Sequence, residues 1–320
     1  MKILITGSFG QVGSKILENL PDNGDTIRCF DLKNRRTKKL ARKYSDKFDI
    51  IWGDVRNKND VSKALEDIDI IIHLAYILPP ITTKNLKLAK EVNIEGTKNI
   101  LEIAKSQKKQ PKILFTSSVI IYGDTRDKQQ PITVDEELNP TDYYAQHKVE
   151  CMKLIKESNL DYSIFVLGVI PPIHKLVYDP MMYEVPIETQ IELLHEEDAG
   201  IAFVHALNTA SIWNKTWHIA GGPSCRLNYL DFVQISMKAM GLGELPLEAF
   251  GGASYHSSLM SSELSNEILN YQKHTYDEIL HDMASANRFL ISIIKILRPL
   301  VRKVLINQSP YYKKNKKENN

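Results

Sequence analysis

The chain has 320 residues, 43% apolar and 25% charged, with a formal net charge of +2. That length supports a large core, and the near-neutral balance offers no electrostatic footprint for nucleic acid. Three cysteines, Cys29, Cys151 and Cys225, are odd in number and far apart; they argue against a disulfide framework or thiolate metal site and for a reducing, cytoplasmic setting.

The first apolar run, Lys2–Thr6, is too short for a signal peptide and reads as a strand. Further apolar, β-branched runs at Thr26–Asp31, Phe48–Trp52, Ile68–Leu74, Lys112–Ser117 and Tyr162–Leu167 predict more strands. Most lack alternation, as parallel strands covered on both faces do. Amphipathic stretches at Gln11–Leu20, Val61–Glu66, Asn85–Gln107 and Tyr143–Ser158 separate them. This strand–helix alternation predicts an α/β, Rossmann-like doubly wound parallel sheet, whose ligands bind beyond the carboxyl ends of the strands.

Gly7, Gly10 and Gly13 follow the first strand and open the first helix. They permit a tight turn and a close approach of backbone, and they aim a helix N-terminus at an anion. Asp31 ends the second strand, where a carboxylate would meet adenosine ribose hydroxyls and repel a 2′-phosphate. NAD is therefore favoured, while Arg35 and Arg36 keep NADP open. Ser117 and Ser118 close the fifth strand, and Tyr144 and Lys148 stand four apart on one helical face. An ammonium beside a phenol favours the phenolate, so Tyr144 could exchange a proton with a substrate alcohol as hydride moves. Ser118 would fix the same oxygen.

With these residues in view, the sequence resembles the extended short-chain dehydrogenase/reductases, in particular the NAD-dependent epimerase/dehydratase family. The matching stretches are Thr6–Gly13, Asp31, Gly53–Val55, His73–Ala75, Val92–Leu101, Ser117–Gly123 and the Tyr144/Lys148 pair. By position, the resemblance implies a cofactor turn of Gly7, Ser8, Phe9, Gly10, Gln11, Val12 and Gly13. It also implies that Asp54 and Val55 meet the adenine and that Leu74, Ala75 and Tyr76 line the cofactor groove. Asn93 would support the active-site lysine and the cofactor, and Ser118, Tyr144 and Lys148 would be catalytic. Family members are often dimers, which makes a homodimer an expectation by resemblance.

Departures from the family bear on the substrate. Val119 and Ile120 stand where dehydratases carry an acid, so water elimination is disfavoured. Gly168 replaces an Asn, and Gln190 or Ile191 an Arg, that would hold a nucleotide sugar. The intervening stretch is rich in Pro, Met, Tyr and Val, with Lys175 an unmatched cation for phosphate. Family membership points to a sugar or nucleotide-sugar epimerase; the departures point to a dehydrogenase or reductase of a hydrophobic, lipid-like alcohol. A non-catalytic dinucleotide-sensing protein is a third reading, against which the intact Ser118/Tyr144/Lys148 set argues. The histidines show no metal spacing, so no metal is expected.

Four segments follow: a nucleotide-binding domain over 1–167, and a substrate lobe with returning sheet elements (about 198–222) over 168–285. A basic amphipathic helix over 286–306 and a disordered polar tail over 307–320 complete the chain. Across Arg288–Ile306, Phe289, Ile293, Ile296, Leu297, Leu300 and Val304 share one face, widened by Leu290, Ile294, Val301 and Leu305, with Lys295, Arg298, Arg302 and Lys303 opposite. Four cations weigh against a membrane span. Peripheral membrane contact or packing on the protein are the two readings.

Overall fold

The computed structural model describes residues 1–174, 180–252 and 257–318. Its strands are β1 (Lys2–Thr6), β2 (Thr26–Asp31), β3 (Asp49–Trp52), β4 (Ile70–His73), β5 (Lys112–Ser118), β6 (Tyr162–Leu167), β7 (Gln190–Glu192), β8 (Lys215–Ile219) and β9 (Arg226–Asn228). Seven of them form one parallel sheet in the order β3-β2-β1-β4-β5-β6-β8. The order reverses between β1 and β4, which makes a crevice at their carboxyl ends.

The missing alternation has a direct cause. On β1, Ile3 and Ile5 enter the core on one side of the sheet while Leu4 enters the core on the other. Ile70 and Ile72 against Ile71, and Phe165 against Ile164 and Val166, divide in the same way. Both faces are covered, so the central positions of these strands are mostly apolar.

A smaller lobe sits beside the sheet. β7 and β9 pair as an antiparallel ribbon, and the helix Tyr229–Ala239 follows it. Tyr183, Ile191, Tyr229, Val233, Met237 and Phe250 share its core.

The C-terminal segment differs from expectation in three respects. The helix is two helices, Arg288–Ile296 and Arg298–Gln308, broken at Leu297, with Pro299 in the first turn of the second. Proline lacks an N–H and collides with the preceding turn, so the helix restarts there. Next, the cations do not all face water. Arg298 and Arg302 donate to the Leu242 carbonyl at 3.3 and 3.2 Å, and Arg302 reaches that of Gly243 at 3.2 Å. Finally, the tail is not without structure, since Tyr312–Glu318 is helical. Asn315 donates to the carbonyls of Glu248 and Phe250 at 3.2 and 3.1 Å, and the Tyr311 hydroxyl bonds Glu184. Those side-chain anchors substitute for the apolar periodicity the tail lacks.

Candidate active site

The glycine turn is built by close contacts. Gly7 has φ +69°, and a Cβ there would lie 2.9 Å from the Ala75 nitrogen at the end of β4. A Cβ on Gly13 would lie 2.6 Å from the carbonyl oxygens of both Gly7 and Ser8. Neither position has room for a side chain. The helix Gln11–Asn19 then begins at Gly10 with no side-chain cap and no acid in its first turn. Its free N–H groups face a cavity of about 610 Å3, a cradle suited to a phosphate.

Behind the turn, Asp31 accepts from the N–H of Phe9 at 2.9 Å and of Leu32 at 2.7 Å. Burial raises its carboxyl above the usual range although both bonds oppose that shift. Arg36 donates to the Phe9 carbonyl at 3.1 Å. Ser8 and Phe9 contribute backbone to the turn while their side chains face inward. The Ser8 hydroxyl bonds the Ile5 carbonyl, and Phe9 packs its ring against Tyr44 and Trp52.

The end of β4 is held by a directed chain of hydrogen bonds. Thr97 donates to the Asn93 carbonyl at 2.6 Å, so it receives the His73 Nε2 proton at 3.0 Å. His73 Nδ1 therefore accepts from the Thr6 hydroxyl at 2.8 Å, and Thr6 accepts from the Ala75 N–H at 3.1 Å. Burial pushes His73 down to about 3, which keeps it neutral. This histidine braces the crevice.

Ser118, at the end of β5, and Tyr144 and Lys148, on the helix Tyr143–Lys156, line the same cavity. Asp142 caps that helix by accepting from the Ala145 N–H at 2.7 Å. Lys148 is 2% exposed; its Nζ donates to the Thr116 carbonyl at 2.7 Å and sits 3.5 Å from the centre of the Tyr76 ring. The Tyr144 ring centre is 5.8 Å from Nζ, and Tyr76 meets Tyr144 edge-on at 5.8 Å. Burial lowers Lys148 to about 7.

Ten of the expected residues thus share one cavity: Gly7, Gly10, Gln11, Val12, Gly13, Leu74, Tyr76, Ser118, Tyr144 and Lys148. Others stand outside its lining. Asn93 is one of these. Its amide pairs both ways with the backbone of Ile77, accepting at 2.7 Å and donating at 3.1 Å, and lies 3.4 Å from His147 Nδ1. Asn93 lies in a π-turn over Glu91–Glu95, with its side chain on the loop after β4. Asp54 is bound to Arg56 at 2.6 Å, and Val55 is buried against Gly96.

Beyond the catalytic end, the cavity is lined by Val119, Ile120, Val169, Ile170, Met182, Val185, Ile191, Tyr229 and Phe232. The individual lobe residues among these could not be picked out from spacing, because the lobe has no regular pattern. Gly168 and Ile191 stand in the lining while Gln190 does not, and Lys148 is its one cation among the described residues. Lys175 lies outside the described residues. Arg226, on the neighbouring ribbon, is committed to Glu192 at 3.3 Å and to the Met260 carbonyl at 3.0 Å.

Away from the cavity, His195, Glu197 and His274 approach one another. The imidazoles stack at 4.0 Å and 16°, a poor disposition for in-plane coordination of one ion. His195 Nδ1 accepts from the Glu197 N–H at 3.1 Å, and His274 Nδ1 meets Asp198 at 2.6 Å. The cluster fastens the start of the helix Glu196–Ala206 to the turn at 273–274.

A parallel sheet with a glycine turn at its switch point, and a Ser/Tyr/Lys set at the neighbouring strand end, defines the short-chain dehydrogenase/reductase class. The model of the NAD dependent epimerase/dehydratase family matches residues 3–179, more than half of the chain, and the chain belongs to that family. Its curated relatives include human short-chain dehydrogenase/reductase family 42E member 1, 30% identical over 165 residues (49% of this chain, 40% of that protein). Another is 3-beta-hydroxysteroid dehydrogenase of Mycolicibacterium neoaurum, 27% identical over 179 residues (53% and 46%). The chain spans less than half the length of either relative. Among solved structures, UDP-glucuronic acid 4-epimerase from Bacillus cereus, in complex with UDP-glucuronic acid and NAD, superposes with a TM-score of 0.75 at 20% identity. It covers 91% of this chain and 100% of its own. That likeness concerns the fold.

Proposed function

We propose that the chain is an NAD-dependent oxidoreductase acting at a secondary alcohol carbon of a largely apolar substrate. The observation that carries this reading is the lining. Apart from Ser118, Tyr144, Lys148, their neighbours Thr116 and Asp142, and Gln11 at the glycine turn, mostly aliphatic, sulfur and aromatic side chains face the cavity, and the described residues place no second cation there. A diphosphate asks for paired cationic donors; an alicyclic skeleton asks for apolar surface. Family membership points to nucleotide-sugar epimerisation, and the lining, like the departures at Gly168 and Ile191, favours an apolar substrate.

The glycine cradle fits the phosphates of NAD, and Asp31 its adenosine ribose; Leu74 and Tyr76 would border the nicotinamide end. When bound, NAD supplies the hydride acceptor. Ser118 would donate a hydrogen bond to the substrate oxygen and set its position. The Tyr144 phenolate would take the hydroxyl proton as the carbon gives up hydride and the carbonyl forms; reduction reverses both transfers. Lys148, once protonated, would favour that phenolate. Asn93 would act as a positioning residue, since it fixes the loop carrying Tyr76 and Ile77.

A nucleotide-sugar epimerase is the second reading, favoured by the similarity to an enzyme solved with UDP-glucuronic acid and NAD. The two separate on net cofactor change. Purified protein is incubated with NAD and either 3-hydroxysteroids and other alicyclic alcohols or UDP-sugars. Reduced nicotinamide accumulating with an apolar alcohol is the expected result. Sugar inversion without net reduction would replace the proposal with the second reading.

A further inference from the structure

The C-terminal helices invert the usual arrangement of a surface helix. Ile294, Val301, Leu305 and Ile306 pack half-buried against the lobe, and Ile291 is buried. Arg298 and Arg302 turn toward the carbonyls of Leu242 and Gly243. The outer face is apolar: Phe289 is 78% exposed, Ile296 80% and Leu300 62%, with Ile293 and Val304 continuing the stripe. Folding gains nothing from large apolar side chains left in water, and a contiguous stripe of them marks a docking surface.

Charge identifies the occupant. Residues 288–320 hold nine of the chain's 41 Lys and Arg and only one of its 39 Asp and Glu. The remainder of the chain is therefore net negative although the whole is near neutral. Arg288 and Lys303 flank the stripe in exposed positions, and Lys313, Lys314, Lys316 and Lys317 are exposed on the adjoining helix. A second copy meeting this face about a two-fold axis would set like charges against each other, because such an interface joins the same patch to itself. An anionic lipid surface accepts both features at once: apolar side chains enter the acyl boundary and cations meet the headgroups. No helix among the described residues is long and apolar enough to cross a membrane.

We infer that the face carrying Phe289, Ile293, Ile296, Leu300 and Val304, with its flanking lysines, docks this protein on the surface of anionic membranes. The same lobe presents Met182, Tyr229 and Phe232 to the cavity. Docking would thus hold the apolar lining close to where apolar molecules dissolve.

The test is co-sedimentation of the full chain with vesicles of phosphatidylcholine alone or mixed equally with phosphatidylglycerol. Binding to the mixed vesicles should exceed binding to the neutral ones by about tenfold or more and fall with salt. The Ile296→Glu/Leu300→Glu variant should lose binding with unchanged thermal unfolding, since both side chains stand in water. A second variant, with Gln at Lys313, Lys314, Lys316 and Lys317, should keep the fold and lose the preference for anionic lipid. Failure of the unaltered protein to pellet with mixed vesicles overturns the inference, as does full binding by either variant. A dimer in lipid-free buffer that Ile296→Glu/Leu300→Glu dissociates would also overturn it, by showing that a second copy covers the stripe.

Discussion

Lys148 carries the most consequential environment of any single side chain. Its ammonium is almost fully buried, held by one carbonyl and two aromatic faces, and burial lowers it from 10.5 to about 7. Between those values the unfolded chain retains the proton more fully than the folded one, so stability contributed here rises with pH. Below about 7 the full cost of burying charge is present. Replacing Lys148 with Met should therefore stabilise the cofactor-free protein at neutral pH. The advantage should shrink as pH rises toward 10.5, as urea unfolding at several pH values would show. Gly13 makes the opposite case: in Gly13→Val, the added atoms would meet two backbone oxygens. A loss of about 1–3 kcal/mol in stability, with NAD affinity falling alongside, is the expected outcome. Residues of this kind were legible in the sequence, because a turn needing glycine and an i, i+4 pair are local features. The pairing of the Asn93 amide with the Ile77 backbone was not, because it joins the π-turn over Glu91–Glu95 to the loop after β4 and no spacing encodes such a contact.

The helix Tyr143–Lys156 transmits placement to chemistry. Its one side-chain cap is Asp142, whose carboxylate satisfies the N–H of Ala145, one position after Tyr144 and three before Lys148. Asp142→Ala should cost about 1 kcal/mol in denaturant unfolding and, by loosening the first turn, lower kcat through the position of Tyr144. Strands β1, β2 and β6 coincide with their apolar runs, since covering both faces leaves a largely apolar signature. The short helix Arg35–Ala41 has no such signature; its start rests on the Asn34 and Thr37 capping box. The C-terminal helices show a different limit. Amphipathic spacing revealed that two unlike faces exist, but the free carbonyls after the helix Tyr229–Ala239 decided which face turned inward. Carbonyls beyond a helix end attract guanidinium groups, and that demand is invisible until the lobe is assembled.

At the scale of the whole molecule, a rigid two-faced sheet presents the glycine turn and the Ser118/Tyr144/Lys148 set, and the lobe closes the cavity with apolar surface. The C-terminal helices complete that lobe's core through Ile294, Val301 and Leu305, and the Tyr183 hydroxyl bonds the Leu305 carbonyl at 2.8 Å. Truncation after residue 287 should leave the sheet intact and loosen the lobe. Amides of 229–239 should exchange faster in hydrogen exchange while those of β1 and β4 keep their protection. Fold class followed from element alternation, and the lobe was expected over 168–285; its internal packing was not legible, because its core joins segments over a hundred residues apart by contacts without period.

Everything chemical converges on the phenol of Tyr144, and turnover by Tyr144→Phe at saturating NAD tests it most directly. Calorimetric NAD affinity should stay close to that of the unaltered protein, with oxidation of the accepted alcohol lowered by about 10²-fold or more. Turnover within about twofold of the unaltered protein, with NAD still bound, would contradict a tyrosine base and leave the proton to another group.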